Sequence, residues 1–262
     1  MRAVNANGVT LHVQEDGDPN GAPVVFANSL GTDLRLWDAI VPLLSDGLRL
    51  IRYDTRGHGL SGCPDGPYTI DDLATDAAAL IEALDLGPVT LVGLSIGGMI
   101  GQALAARRPD LVRALVLSNT AVKLGEPATW ADRIAAIKAN GLAAMEGAVL
   151  DRWFGPAFRA TPAAGLWGAM LSRTPAAGYV ACCAAIAAAD LSDSTAMLRL
   201  PTLAIAGTHD GASPPYLVAA TAALIPGAQI HVIDGAGHLP CVENPAAYAA
   251  VLNPFLKEHA YV

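Results

Sequence analysis

The sequence of 262 residues predicts an α/β fold with a mostly parallel central sheet, flanking helices and an inserted helical segment. Two observations predict this fold. Short apolar runs alternate with a helical pattern over the first 120 residues, and similar runs return after residue 200. Between these parts, residues 121–200 show no strand pattern and are rich in Ala. We therefore expect a core formed by residues 1–120 and 201–262, and a helical cap formed by residues 121–200.

The predicted strands are short and apolar, and most of them are bounded by Gly, Pro or Asp. The first alternates apolar and polar residues, as a half-buried strand does. The others suit the strands of a parallel sheet that is covered on both faces. In chain order, the predicted strands are residues 9–13, 24–27, 48–51, 89–92, 114–117, 202–206 and 229–233.

Helical patterns lie between these strands. Residues 69–86 carry an apolar stripe at helical spacing, with Thr69 as the N-cap and two Asp residues in the first turn. The Asp residues complement the positive end of the helix dipole. We expect four or so short helices in residues 121–200 and a closing helix over residues 245–258.

Composition and charge exclude several classes of protein. Hydrophobic residues make up 53% and charged residues 15%, which is too apolar for a disordered chain. The net charge of −8 argues against a general nucleic-acid partner. Residues 121–200 carry seven Lys and Arg against six Asp and Glu, so the remainder carries −9 of that charge. The Cys and His residues show no metal-ligand spacing, so no metal is expected. The reaction inferred below implies no organic cofactor either.

The uncharged run at residues 88–106 has the length of a membrane-spanning helix. Its four glycines and its β-type start favour a strand, a turn and a buried helix instead. The N-terminus lacks the apolar core of a signal peptide. We therefore expect a cytoplasmic protein without a membrane partner, and nothing in the sequence indicates its oligomeric state.

A G-x-S-x-G motif at residues 93–97 supplies a candidate nucleophile, Ser95. The motif follows a predicted strand and opens a predicted helix, which is the context of a nucleophile elbow. Its glycines allow a sharp turn that projects the serine hydroxyl, and the helix directs its free N–H groups at the site. A serine hydroxyl also needs a base, and that base needs an acid to orient it.

An acid and a histidine follow Ser95 in the order that such elbows require. Asp210 comes just after the strand at residues 202–206, and His238 comes just after the strand at residues 229–233. Asp234 is a rival acid, but it shares a loop with His238 and would leave no separate element to orient the ring. We expect Ser95, Asp210 and His238 to form a catalytic triad.

The same chemistry requires donors for an oxyanion. One should be the backbone N–H of Ile96, the residue after the nucleophile, and the other should lie in the loop after an early strand. Residues 28–32 fill that place, and the N–H of Leu30 is the predicted donor. The alternative is an ordinary polar turn. His58, in the early Arg-Gly-His-Gly loop, is expected to be structural.

Six segments together resemble the α/β-hydrolase superfamily and, more narrowly, the 3-oxoadipate enol-lactonases. The elbow and the Arg-Gly-His-Gly loop are specific only to the superfamily, whereas NSLGT and SNTA indicate the narrower group. The resemblance implies the same triad and a helical cap over residues 121–200. The segments are NSLGTD (28–33), YDTRGHG (53–59), GPYTI (66–70), GLSIGG (93–98), SNTA (118–121) and GTHD (207–210).

The resemblance implies a serine hydrolase that opens 3-oxoadipate enol-lactone through an acyl-enzyme, as a step of aromatic catabolism. It favours Trp130 and Arg133, which share a helix face, as substrate-binding residues. Arg133 would pair with the substrate carboxylate and Trp130 would supply an apolar wall. The alternative is a Trp that packs the cap on the core and a solvated Arg near Asp132. Trp153 is expected to pack within the cap.

Other functions on the same scaffold stay open. A general carboxylesterase or a C–C bond hydrolase would use the same triad on a different small-molecule substrate. A haloalkane dehalogenase is disfavoured, because its nucleophile would be Asp where this chain has Ser95. A relative that binds small molecules without turnover is the alternative from another class, and an intact triad and oxyanion loop speak against it.

Overall fold

The computed structural model describes residues 1–259, which form eight strands and eleven α-helices. The strands are β1 (Arg2–Ala6), β2 (Val9–Gly17), β3 (Ala22–Ala27), β4 (Leu48–Tyr53), β5 (Val89–Leu94), β6 (Val112–Ser118), β7 (Thr202–Gly207) and β8 (Gln229–Ile233). They build one sheet in the order β1-β2-β4-β3-β5-β6-β7-β8.

The helices lie between and after these strands. They are α1 (Ile70–Ala83), α2 (Ile96–Arg107), α3 (Pro127–Asn140), α4 (Glu146–Trp153), α5 (Pro156–Arg159), α6 (Pro162–Arg173), α7 (Ala176–Ala188), α8 (Ser192–Ala196), α9 (Pro215–Ala222), α10 (Pro240–Glu243) and α11 (Pro245–His259). The predicted N-cap of α1 is confirmed, since Thr69 and Asp72 form a reciprocal capping box.

The sheet is mostly parallel, which confirms the predicted fold class. Strands β3 to β8 run parallel to one another, while β1 and β2 add an antiparallel edge. Every residue of β5 is buried, as helices on both faces require. The chain order reverses at β3, which lies between β4 and β5. Ligands of open α/β sheets bind at the carboxyl ends of the strands beside such a reversal.

Strand β1 is absent from the predicted elements. It pairs with β2 through a two-residue turn at Asn7 and Gly8, whose φ angles are 51° and 76°. Asn-Gly is a strong signal for a hairpin of this kind. Asn7-Gly8 was therefore a usable signal in the sequence. Strand β1 was not predicted because its own residues contain no apolar run.

Six α-helices, α3 to α8, occupy the fully described stretch between β6 and β7, where four or so were expected. Proline explains the difference. Pro127, Pro156 and Pro162 each begin a helix, and Pro175 is the N-cap of α7. A proline at a helix start loses no hydrogen bond, so each one begins a new helix at little cost.

Within residues 1–259, the structure contains no helix of the length and apolarity needed to cross a bilayer. The uncharged run at residues 88–106 instead forms β5, the turn at Ser95 and most of α2, as predicted.

Candidate active site

Ser95 occupies the sharp turn between β5 and α2, with φ 58° and ψ −118°. A positive φ is strained for a serine, and such strain is concentrated at functional sites. Two glycines allow the turn. A Cβ on Gly93 would lie 2.2 Å from the carbonyl oxygen of Gly97, and a Cβ on Gly97 would lie 2.1 Å from that of Ala27. The backbone of the elbow therefore packs closely against both its own helix and β3.

Asp210 and His238 meet at the carboxyl ends of β7 and β8. His238 Nδ1 lies 2.9 Å from Asp210 Oδ2 and 3.0 Å from Oδ1, and both side chains are buried. Asp234, the rival acid, is exposed and accepts a hydrogen bond from Thr208 Oγ1 at 3.2 Å. The structure thus brings Asp210, and not Asp234, to the imidazole.

The Asp210 carboxylate is held by a dense set of donors. Its Oδ1 accepts the backbone N–H groups of Ala212 (2.7 Å) and Ser213 (2.9 Å). Its Oδ2 accepts Ser213 Oγ (2.7 Å) and Asn119 Nδ2 (2.9 Å). Burial alone would raise the pKa of this carboxyl, but the charge and hydrogen bond of His238, together with these donors, hold the pKa well below its usual value. The acid therefore stays anionic and fixed in place.

Asn119 is a residue that the sequence reasoning missed. It follows β6 with a φ of 47°, and its Nδ2 lies 3.2 Å from the carbonyl oxygen of Gly237 as well as close to Asp210. One amide thereby ties together the acid loop and the histidine loop. The SNTA segment marked this position, but a local pattern does not show where an amide points.

The histidine loop is also held by the end of α4. The carbonyl oxygen of Trp153 accepts the N–H of His238 at 2.7 Å and that of Leu239 at 3.3 Å. The carboxylate of Glu243 accepts the N–H groups of Gly155 (2.8 Å) and Gly237 (2.5 Å). The helical insertion and the histidine loop are therefore joined by backbone hydrogen bonds.

The loop after β3 carries the predicted oxyanion donor. Asn28 fixes it, since Nδ2 donates to the carbonyl of Tyr53 and Oδ1 accepts from Trp37 Nε1, each at 2.7 Å. No acceptor in the described part of the chain pairs with the N–H of Leu30. Ile96 begins α2, where an N–H has no acceptor within the helix. Two N–H groups are thus free for an oxyanion.

His58 supports the same loop. Its Nε2 accepts the N–H of Gly31 at 3.0 Å, and its Nδ1 lies 3.3 Å from the carbonyl oxygen of Arg56, so the proton belongs on Nδ1. Burial lowers the pKa of His58 to about 4. The ring is therefore neutral near pH 7 and can accept the N–H next to Leu30.

Replacing His58 by Gln should make folding stability less sensitive to acid. Because the folded-state pKa is about 4 and the ordinary value is 6.5, the unfolded chain takes up the proton first as pH falls. The contribution of this group to folding stability is complete well above pH 6.5 and is lost as pH falls towards 4. The loss amounts to about 2 kcal/mol between about pH 7.5 and pH 5. Urea unfolding at both pH values measures the loss, and an equal loss in wild type and variant would contradict the prediction.

One pocket brings most of the predicted residues together. Ser95, His238, Leu30, Trp130 and Arg133 all line it. Asp210 lies behind the imidazole and Ile96 is buried at the start of α2, so neither side chain forms the wall. Among residues 1–259, no hydrogen bond joins the side chains of Ser95 and His238. Such catalytic contacts commonly tighten only when substrate binds.

Residues 121–200 form part of the pocket wall, and the set of wall residues differs in part from the predicted one. Arg133 lies over the ring of Trp130, with Cζ 5.2 Å from the centroid, and Trp130 Nε1 donates to the carbonyl of Leu124 at 2.6 Å. Trp153, expected only to pack within the insertion, also lines the pocket, because its position at the end of α4 places it beside the histidine loop.

Two further polar residues of the pocket were missed by sequence reasoning. Arg152 lines it from α4, and Ser29 lines it from the loop after β3. Ser29 Oγ is buried and has no hydrogen-bond partner among the described residues. No local sequence pattern distinguishes either residue from an ordinary surface arginine or turn serine.

A hydroxyl nucleophile, an imidazole held by a carboxylate and two free N–H donors can together perform acyl transfer.

Comparisons with known proteins agree with this geometry. Residues 24–251 match the model of a family described as the alpha/beta hydrolase family. The chain is 34% identical to 3-oxoadipate enol-lactonase 2 of Acinetobacter baylyi over 97% of its own length and 96% of that protein. Among solved structures, the enol-lactonase from Burkholderia xenovorans LB400 has a TM-score of 0.95 and 37% identity, covering 98% of this chain and 100% of that one.

A thermophilic esterase from Thermogutta terrifontis, solved with malate bound, has a TM-score of 0.91 and 28% identity, covering 98% of both chains. The predicted resemblance to enol-lactonases is thus confirmed, and the hydrolases among these relatives support hydrolase chemistry for this pocket. The family match begins within β3 and ends within α11, so it includes all residues between β6 and β7. On this fold, this site and these relatives, the chain belongs to the alpha/beta hydrolase family.

Proposed function

We propose that this protein hydrolyses a small lactone bearing a carboxylate, namely 3-oxoadipate enol-lactone, to 3-oxoadipate in the catabolism of aromatic compounds. The observation that carries the proposal is the pocket in which Ser95 and His238 share the wall with Arg133. That guanidinium has no acidic partner in the described residues, and a substrate carboxylate would supply one. The enol-lactonase relatives support the choice of lactone.

In the proposed reaction, Ser95 Oγ attacks the lactone carbonyl while His238 Nε2 takes its proton. Asp210 accepts the Nδ1–H of His238 and stabilises the imidazolium. The N–H groups of Leu30 and Ile96 hold the oxyanion. Collapse of the tetrahedral intermediate breaks the ring C–O bond, and the enolate is a good leaving group. The enolate oxygen takes the proton from His238, which leaves an enol tethered to the acyl-enzyme and a neutral imidazole.

The second half of the reaction regenerates the enzyme. His238 takes a proton from water, and the resulting hydroxide attacks the acyl carbon. The bond to Ser95 Oγ breaks, the serine recovers its proton from His238, and a new carboxylate leaves. The enol tautomerises to the ketone of 3-oxoadipate.

We also propose that residues 121–200 act as a cap over the core formed by residues 1–120 and 201–262. The polar and aromatic residues of the insertion that line the pocket containing Ser95 are Thr129, Trp130, Arg133, Arg152, Trp153 and Tyr179. The cap carries a net charge of +1, whereas the core carries −9. An anionic substrate therefore meets its positive groups on the cap side of the pocket.

Replacing Arg133 by Gln tests the assigned substrate. The variant should lose about 10- to 100-fold in kcat/KM for the enol-lactone, because a charge-assisted hydrogen bond to the carboxylate is removed. Its kcat/KM for p-nitrophenyl acetate, which has no carboxylate, should stay within about twofold of wild type. Arg173→Gln, at an exposed arginine of α6, is the matched control and should change neither rate.

The comparison of the two substrates decides between a lactonase and a general carboxylesterase. If wild type turns over the ester faster than the lactone and Arg133→Gln leaves lactone turnover unchanged, the lactonase proposal is wrong. The carboxylesterase would then explain the same nucleophile and histidine.

A further inference from the structure

Arg152 gives the pocket a second guanidinium beside that of Arg133. In the described part of the chain, neither group has an ion pair within 4.0 Å or a hydrogen bond to its side chain. Several arginines outside the pocket are paired. Arg56 pairs with Asp76, and Arg108 pairs with Asp110 at 2.7 Å. Two unpaired guanidinium groups at one pocket are therefore a local feature of the site.

The two groups interact unfavourably with each other. Desolvation lowers the pKa of Arg152, and the positive charge of Arg133 lowers it further, while Tyr179 and Asp210 act in the opposite direction. Holding two like charges at one pocket destabilises the unliganded protein. A bound anion that contacts both groups would remove that repulsion.

The backbone of Arg152 lies beside the loops that carry the acid and the histidine. A Cβ on Gly211, the residue after Asp210, would lie 3.5 Å from Arg152 Cα. The next residue along α4, Trp153, accepts the N–H of His238 at 2.7 Å through its carbonyl oxygen. Arg133 instead lies over Trp130 on α3. The two guanidinium groups are thus presented by different helices, one of them joined to the histidine loop.

We propose that Arg152 binds a second carboxylate, so that the pocket takes short aliphatic dicarboxylates. The identity of the natural dicarboxylate rests on the proposed function. A lactone with one carboxylate engages Arg133, and hydrolysis at Ser95 creates a second carboxylate beside His238, whose loop adjoins Arg152 and Trp153 of α4. The six-carbon product then contacts both arginines, which makes it a competitive inhibitor of its own formation.

Calorimetric titration of wild-type protein with adipate and with hexanoate tests this inference. Both ligands have six carbons, but only adipate has two carboxylates. We expect adipate to bind about 10-fold more tightly than hexanoate, since charge-assisted hydrogen bonds are worth about one decade or more in affinity. Arg152→Gln should remove that preference and leave hexanoate within about threefold, whereas the control Arg173→Gln should change neither affinity.

Equal affinity for adipate and hexanoate in wild type, or an adipate affinity unchanged by Arg152→Gln, would overturn the inference. Arg152→Lys keeps the charge and should retain much of the preference. The inference can also be tested on wild-type protein alone, by measuring both affinities at several salt concentrations. The affinity for adipate should fall more steeply with salt than the affinity for hexanoate. Neither ligand has a bond to hydrolyse, so these outcomes are independent of lactone turnover, whose failure would overturn only the proposed function.

Discussion

Replacing Ser95 by Ala should lower kcat for the lactone by a factor on the order of 10⁵, because the attacking oxygen is lost and only binding and the oxyanion donors continue to act. Adipate affinity should change little, since the hydroxyl is not a carboxylate partner in the proposed site. A fluorophosphonate reagent should label wild type at Ser95, and mass spectrometry should find no such label in the variant.

Ser29→Ala is the matched control for this experiment. Ser29 lines the same pocket and presents a buried hydroxyl without a partner, but its loop follows β3 and lies outside the elbow. The control should still be labelled. Labelling of Ser95→Ala to the wild-type level would show that another residue is the nucleophile. A wild-type protein with neither turnover nor labelling would favour the alternative of a small-molecule-binding protein without catalysis.

Replacing Asp210 by Asn should lower kcat by a factor on the order of 10⁴ while leaving KM nearly unchanged, as loss of an orienting carboxylate does in related chemistry. Asn cannot satisfy the surroundings of Asp210. The carboxylate receives donors from Ala212, Ser213 and Asn119 in addition to His238, so an amide NH₂ would face a donor whichever way it turned. The imidazolium would also lose its counter-charge.

Asp234→Asn is the control for Asp210→Asn. Asp234 is exposed and accepts from Thr208, so its substitution should leave kcat within about twofold of wild type. Steady-state rates for the two variants measure the difference directly. If Asp234→Asn lowers kcat more than Asp210→Asn does, the acid has been assigned to the wrong loop.

Local features made much of the fold predictable. Strand β5 is a largely apolar run, and the glycines at residues 93 and 97 stand where the elbow allows no Cβ. Ser95, Asp210 and His238 each follow a parallel strand, and the carboxyl ends of these strands meet at one edge of the sheet, so their approach was predictable. Strand β1 escaped prediction, since its pairing depends on a hairpin and its own residues are largely polar.

The parts of the site that escaped prediction depend on long-range contacts. Asn119 reaches Asp210 from the loop after β6, 91 positions earlier in the chain, and no spacing along the chain reveals that approach. Arg152 follows Asp151 and resembles one half of an exposed ion pair, yet Asp151 pairs with Arg159. Asp151 and Arg152 are neighbours on α4. The packing of α4 on the core determines which of the two charges faces solvent and which faces the pocket.

The carbonyl of Trp153 also limits which segments of this enzyme can be exchanged with those of its relatives. Since it bonds the N–H groups of both His238 and Leu239, the end of α4 helps to shape the loop that carries the proposed base. The insertion is therefore not an interchangeable module. Grafting a foreign α3, with its Trp130 and Arg133, could change which molecules are accepted. A chimaera that lost the α4 terminus would misplace the histidine as well, so recombination between relatives should succeed with junctions before residue 146 and fail with junctions inside α4.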